Sequence, residues 1–105
     1  MKKDIDVKEA KECIDNGATV LDVRTDEEYK EEYIQNSVNI DINGGSFKER
    51  IKELDKAKSY VVHCVSGGRS AQAVKIMIKL GFENVHNMLG GISEWKKEGF
   101  PVMKE

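Results

Sequence analysis

The sequence has little that would interrupt or divide a folded chain. Among 105 residues there is one proline, Pro101, and there is neither a Ser/Gly-rich linker nor an internal repeat. We therefore expect one domain spanning residues 1–105. Hydrophobic residues make up 39% of the chain and charged residues 34%, which is typical of a soluble globular protein and not of a disordered or fibrous one.

The chain also lacks an excess of one charge and a long apolar run. Its 17 basic residues are offset by 19 acidic ones, so the formal net charge is -2. This balance argues against a nucleic-acid partner. No segment reaches the ~20 apolar residues needed to cross a bilayer, and Met1-Lys2-Lys3 leads into Asp4 without the apolar core of a signal peptide. We predict a cytoplasmic protein with no membrane partner.

Cysteine and histidine are scarce, with two of each. A reducing compartment and different local settings argue against a disulfide between Cys13 and Cys64. Cys13 lies on the apolar face of a predicted helix, so we expect a buried, unreactive thiol. Adjacent strand residues point to opposite faces, so His63 is expected to pack away from the Cys64 sulfur. His86 has no partner at metal-ligand spacing, and we predict no metal site.

Short apolar strands alternate with helices along the chain. The predicted strands are 19–23, 38–40, 60–63 and 84–86. Capping-box pairs, Asp6 with Glu9 and Ser46 with Glu49, predict the start of two helices. Alternating strands and helices predict a parallel sheet with helices on both faces, which binds its ligands beyond the carboxyl ends of the strands.

The most informative segment follows the 60–63 strand and reads Cys64-Val65-Ser66-Gly67-Gly68-Arg69-Ser70. A nucleophilic thiolate needs surroundings that stabilise negative charge, and a helix beginning near Arg69-Ser70 would point its dipole and free N–H groups at the sulfur. Gly67 and Gly68 can adopt positive φ, so that consecutive amides converge on an anion. We predict Cys64 as the nucleophile and residues 65–70 as the substrate-binding loop.

This segment resembles the C-x-x-G-x-R-S active-site loop of rhodanese domains. Three further stretches agree with the family pattern in the right order: Leu21-Asp22-Val23-Arg24 with Glu28-Tyr29, then Val38-Asn39-Ile40, then Leu89-Gly90-Gly91-Ile92 with Trp95, Gly99 and Pro101-Val102. The chain departs from that pattern at Glu32-Tyr33-Ile34, where the family usually has Gly-His-Ile, and at Ser37, where it usually has alanine.

The resemblance implies a single three-layer α/β domain with a five-stranded, mostly parallel sheet and helices on both faces. It also implies a two-step reaction, in which Cys64 takes a sulfur atom from a small-molecule donor such as thiosulfate and passes it on from a persulfide. The acceptor would be cyanide, a thiol or a sulfur-acceptor protein. The resemblance implies no metal or organic cofactor.

The roles of several polar residues near the loop stay open. Asp22 and Arg24 would form an exposed charge pair that braces a neighbouring loop or contacts substrate, and we assign them a supporting role. Arg69 would bind the oxyanion of the donor or pair with a carboxylate such as Glu28. Ser70 would donate to the thiolate or serve as a helix-start residue.

Two other functions compete with sulfur transfer. Protein phosphatases also place a cysteine and an arginine on an amide-lined loop, but with the spacing C-x-x-x-x-x-R. Arg69 comes one position too early for that pattern, and the smaller loop is poorly suited to a phosphoryl group. A non-catalytic module that binds a partner is the other alternative, although such modules often lack the loop cysteine that this chain keeps.

Overall fold

Five strands and five helices alternate in the computed structural model of the chain, which describes residues 3–104. The strands are β1 (Asp4–Ile5), β2 (Thr19–Asp22), β3 (Val38–Asn39), β4 (Ser59–His63) and β5 (Asn84–Met88). The helices are α1 (Val7–Asp15), α2 (Asp26–Glu31), α3 (Phe47–Ile51), α4 (Gly68–Lys79) and α5 (Gly91–Lys97). Met1 and Lys2, which entered the signal-peptide argument, lie outside the described residues, as does Glu105.

The strands form one sheet in the order β1-β5-β4-β2-β3, and every neighbouring pair is parallel. An isolated antiparallel bridge joins Tyr33 to Met103 outside these strands. The predicted five-stranded, mostly parallel sheet is confirmed. The pattern along the chain did not locate β1, because Asp4-Ile5 is followed directly by the capping residue of α1 and contributes a single apolar side chain.

Hydrophobic side chains are buried on both faces of the sheet. Along β4, Tyr60 and Val62 belong to one core cluster while Val61 belongs to the other, as the alternation of side chains in a strand requires. The first cluster includes residues of α3 and α4, namely Phe47, Ile51, Ala73, Val74 and Met77. The second includes residues of α1 and α5, namely Val7, Ala10, Ile92 and Trp95. This arrangement confirms the three layers.

Helix ends agree with the sequence patterns at two sites and differ at a third. The Asp6 side chain accepts from the Glu9 amide at 2.8 Å and completes the predicted capping box. Gly81 ends α4 at φ 97, where its N–H donates to the Ile78 carbonyl at 3.0 Å. The capping box predicted at Ser46 is wrong: this residue has φ -117 and ψ 17, not an extended N-cap backbone, and no capping bond from its side chain is described.

The parallel strands bring the carboxyl ends of β2, β4 and β5 to one edge of the sheet, because these strands are neighbours. Arg24, Cys64 and Gly90 follow these ends closely in the chain. Within residues 3–104, no helix combines the length and the apolar character needed to cross a membrane. The cytoplasmic location stays a prediction.

Candidate active site

Cys64 lies directly after β4 and before α4, and only 2% of the residue is exposed. The Gly67 N–H donates to the Cys64 sulfur at 3.1 Å. Gly67 is the N-cap of α4 and has φ 114, a left-handed conformation that glycine adopts readily. Gly68 is already the first residue of α4 and does not have positive φ, so of the two glycines that can adopt this conformation only Gly67 does. One left-handed residue suffices to turn the amides toward the sulfur.

Several hydrogen bonds favour the ionised form of Cys64. Burial raises the pKa of the thiol. Hydrogen bonds to the sulfur lower that pKa: the Ser70 hydroxyl does so when its proton is directed at the sulfur, and the amides of Ser70, Gly67 and Ser66 act in the same direction. The net pKa lies below the ordinary value for cysteine. This direction is the one that a nucleophilic thiol requires.

The N-terminus of α5 holds the loop from the other side. The Ile92 N–H donates to the Cys64 carbonyl at 2.9 Å, and the Ser93 N–H donates to the Val65 carbonyl at 3.2 Å. Gly91, at φ 58, lies so close that a Cβ there would collide with both carbonyl oxygens. A side chain at this position would push the loop away from α5, so the glycine is needed for the close approach.

Arg69 forms a bidentate ion pair with Glu28 of α2. Its Nη1 and Nη2 donate to the two carboxylate oxygens at 2.8 and 3.0 Å. The hydrogen bonds from Arg69 are the main reason that the pKa of Glu28 falls from 4.5 to about 2. Of the two roles left open for Arg69, the structure therefore shows the pairing with Glu28. The positive charge of the loop is balanced by a carboxylate.

A family model described as "Rhodanese-like domain" matches residues 6–98. The chain belongs to the rhodanese-like domain family. It is 39% identical to the putative sulfurtransferase YtwF of Bacillus subtilis (strain 168), across 94% of this chain and 95% of that protein. It is 31% identical to the thiosulfate sulfurtransferase GlpE of Coxiella burnetii, across 91% of this chain and 89% of that protein.

A solved structure gives the same result for the fold. The crystal structure of a rhodanese-related protein from Thermoplasma volcanium superposes with a TM-score of 0.88 at 40% identity, covering 98% of this chain and 99% of that one. The rhodanese resemblance and the predicted fold class are thereby confirmed. This rhodanese-like domain is a member of a sulfurtransferase family.

The Asp22–Arg24 pair of this rhodanese-like domain is buried, with exposures of 0% and 3%, so the expectation of an exposed pair is wrong. The Arg24 Nη2 donates to Asp22 Oδ2 at 2.7 Å and to the backbone carbonyl of Glu32 at 2.7 Å. The bond to Glu32 uses the backbone carbonyl, so it does not need a particular side chain at position 32, where the chain departs from the family pattern. The pair braces the segment after α2.

His63 is fully buried beside this pair. Its Nδ1 lies 3.1 Å from the Cys64 carbonyl, and because a carbonyl only accepts, Nδ1 carries the proton. Its Nε2 lies 3.6 Å from Asp22 Oδ2 and has no hydrogen-bond partner within residues 3–104. Burial lowers the pKa of His63 more than Asp22 raises it. The ring therefore contacts the backbone of Cys64, which the sequence argument did not include.

Asn87 of β5 is a residue near the site that sequence reasoning missed. It is 4% exposed, and its Oδ1 accepts from the Ser70 hydroxyl at 2.6 Å. The available signal was a polar residue within a strand that otherwise contributes Val85 and Met88 to the core. Polar side chains in such positions are hydrogen-bonded, but the partner is not readable from the strand itself.

Cys13 lies away from this site. It is half-buried instead of fully buried, which corrects the sequence expectation. With Thr19, Ser59 and His86 it lines a cavity of about 490 Å³ at the amino ends of β2 and β4, the edge of the sheet opposite Cys64. Within residues 3–104, no three His, Cys, Asp or Glu side chains are arranged to hold a metal ion.

Proposed function

We propose that the protein is a sulfurtransferase that carries a sulfane sulfur on Cys64 as a persulfide. The observation that supports this most directly is the 3.1 Å hydrogen bond from the Gly67 N–H to the Cys64 sulfur, at the N-terminus of a 12-residue helix. Amide donors and the helix dipole stabilise a negative charge on sulfur without a cofactor. The same groups would stabilise the outer sulfur of a persulfide, which is also anionic.

The reaction proceeds by two displacements at sulfur. The Cys64 thiolate attacks the sulfane sulfur of thiosulfate, an S–S bond forms, and the original S–S bond of the donor breaks with its electron pair leaving on sulfite. Cyanide or an acceptor thiolate then attacks the outer sulfur of the persulfide. The Cys64–sulfur bond breaks, the electron pair returns to Cys64, and the product is thiocyanate or a new persulfide. The covalent intermediate divides one transfer into two easier steps.

The residues around Cys64 have separate roles in this scheme. The loop residues bind the transferred sulfur and its donor, and they are Val65, Ser66, Gly67, Gly68, Arg69 and Ser70. Asp22 and Arg24 support the site by bracing the segment after α2. Thiosulfate is the donor to test first, because the Coxiella burnetii relative is named as a thiosulfate sulfurtransferase. A sulfur-acceptor protein is the natural alternative to a small acceptor thiol.

The test is the mass of the protein after incubation with thiosulfate. We expect a gain of one sulfur atom that peptide mapping places on Cys64 and that cyanide removes as thiocyanate. Cys64→Ser should lose both loading and turnover, since a serine hydroxyl will not be ionised there and cannot form a persulfide. Cys13→Ser is the matched control and should keep both, because that thiol lies at the opposite edge of the sheet.

Two results would contradict the proposal. One is a labile sulfur mapped to Cys13, and the other is thiocyanate production by the Cys64→Ser variant. An aryl phosphate should be tested beside thiosulfate. Hydrolysis of the phosphate without sulfur loading would favour the phosphatase alternative, and inactivity toward both would favour a partner-binding module.

A further inference from the structure

The hydroxyl of Ser70 has one proton and three nearby acceptors. The distances from its oxygen are 2.6 Å to Asn87 Oδ1, 3.2 Å to the Gly67 carbonyl and 3.5 Å to the Cys64 sulfur. Ser70 is fully buried, so solvent water does not reach its hydroxyl group. A single O–H cannot donate to Asn87 and to a Cys64 thiolate at the same time.

The orientation of the Asn87 amide decides which acceptor receives that proton. Asn87 Nδ2 donates to the carboxylate of Asp4 in β1 at 3.3 Å, and an ionised carboxylate only accepts hydrogen bonds. The amide nitrogen is therefore turned toward Asp4, which leaves the amide oxygen facing Ser70. Because that oxygen also only accepts, the 2.6 Å contact requires the Ser70 proton to lie on it.

We propose that Asn87 is a positioning residue that holds the Ser70 hydroxyl proton away from the Cys64 sulfur. In this state the Ser70 oxygen presents a lone pair to Cys64. It accepts from the thiol S–H and stabilises the protonated form. The loop amides of Ser66, Gly67 and Ser70 act in the opposite direction. Asp4, Asn87 and Ser70 thus form a chain of hydrogen bonds from an exposed strand residue to the sulfur.

This inference rests on the proposed function only in naming Cys64 as the reacting group. Its test measures ionisation of that thiol and needs no sulfur donor, so it can fail while sulfur transfer is confirmed, and the reverse also holds. Apart from Asp4, which the second variant removes, the charged and titratable groups around the loop are the same in every variant. They are Arg69 with Glu28, Asp41, whose charge acts on Arg69, and the buried His63.

The experiment measures the rate of Cys64 alkylation by iodoacetamide against pH, in a Cys13→Ser background that leaves one thiol. Asn87→Leu removes the amide oxygen and frees the Ser70 proton to turn to the thiolate. We expect the midpoint of the pH profile to fall by about one unit, since a hydrogen bond to a charged group stabilises it by about that much. In a Ser70→Ala background, the same Asn87→Leu change should leave the midpoint where it is.

A second variant covers the case in which Asn87→Leu does not fold. Asp4→Ala removes the carboxylate that orients the amide, and Asp4 is exposed, so the cost in stability is small. Asn87 can then turn its nitrogen toward Ser70, and the midpoint should again fall. Loss of the Asp4 charge alone would shift the midpoint equally with and without Ser70. The inference requires that most of the shift vanish in the Ser70→Ala background.

Asn39→Leu is the matched control, because Asn39 is another strand asparagine, partly buried, and its Nδ2 donates to the Asp22 and Arg24 carbonyls at 3.1 and 2.9 Å. This variant should lose stability without moving the midpoint. The proposal is overturned if Asn87→Leu leaves the midpoint unchanged or raises it. It is also overturned if the shift is the same with and without Ser70, because Asn87 would then act through the fold and not through the hydroxyl.

Discussion

Replacing Glu28 with glutamine should make the site more selective for a dianionic sulfur donor. The change removes one negative charge while keeping the shape of the side chain, so the Arg69 guanidinium loses its ion-pair partner. In the wild-type protein the pair persists at any pH above about 2, the pKa to which Arg69 lowers the Glu28 carboxyl. A donor that needs Arg69 must therefore compete with Glu28 throughout the working range.

The size of the effect follows from the exposure of the pair. The Arg69 and Glu28 side chains are 29% and 32% exposed, so water screens the interaction and its loss should cost about 1 kcal/mol of stability or less. A hydrogen bond between the freed guanidinium and a donor oxyanion is worth about 1.5 kcal/mol. We expect kcat/KM for thiosulfate to rise about tenfold at low ionic strength.

The assay compares persulfide formation from thiosulfate, a dianion, with that from an alkanethiosulfonate, a monoanion that transfers the same sulfur atom and releases a sulfinate. The gain should be larger for the dianion and should shrink in about 1 M salt, where the Debye length is about 3 Å. Glu27→Gln removes the same charge from an exposed neighbour. It should change kcat/KM for neither donor by more than a small factor. If Glu28→Gln lowered kcat/KM equally for both donors, the Arg69–Glu28 pair would only shape the loop.

The difference in free energy of unfolding between the wild-type protein and Glu28→Gln should depend on pH. Because folding lowers the pKa of Glu28, the pair contributes stability that is fully present above pH 4.5 and is lost as the pH falls through about 2. The wild-type protein should therefore exceed Glu28→Gln in free energy of unfolding at neutral pH. Urea titrations should show this difference closing between about pH 5 and pH 2.

Two further substitutions test how the loop is held. Gly91→Ala places a Cβ against the Cys64 and Val65 carbonyls and should abolish sulfur loading, whereas Gly99→Ala meets open space at a comparable φ of 82 and should cost only about 1 kcal/mol in thermal unfolding. Arg24→Leu leaves the buried Asp22 carboxylate unpaired and should cost about 3–5 kcal/mol by urea unfolding. A cost below about 1 kcal/mol would mean that the Asp22–Arg24 pair does not stabilise the native state.

The local patterns of the sequence predicted the alternation of strands and helices and the position of Cys64 between β4 and α4, because both depend on neighbours in the chain. The strand before Cys64, the glycine turn and the helix after it are contiguous, so periodicity and residue type were enough to place them. The distribution of φ between Gly67 and Gly68 was not predictable, since either glycine can be left-handed. The choice depends on how α4 packs against β4 and β5.

Contacts between residues far apart in the chain were harder to predict. Arg69 meets Glu28 across 41 positions, a pairing that the sequence offered as one of two alternatives, whereas the contact of Ser70 with Asn87 across 17 positions was missed. Asp22 and Arg24 were expected to be exposed because charged residues at the end of a strand usually are. In the structure both are buried, and Arg24 binds the backbone carbonyl of Glu32. Every residue has such a carbonyl, so the residue type at position 32 could not reveal this partner.

The same reasoning explains why the departure at Glu32-Tyr33 leaves the Arg24 brace in place. Arg24 uses the carbonyl of residue 32, which any amino acid supplies. Tyr33 stacks on Tyr29 with ring centroids 4.7 Å apart, and its backbone pairs with Met103, so the new side chain adds packing to that segment. Glu28, which lies one turn before residue 32 in the chain, is then held where it meets Arg69 of the loop. The segment that varies from the family pattern is thus tied to the loop after Cys64 through α2 and the Glu28–Arg69 ion pair.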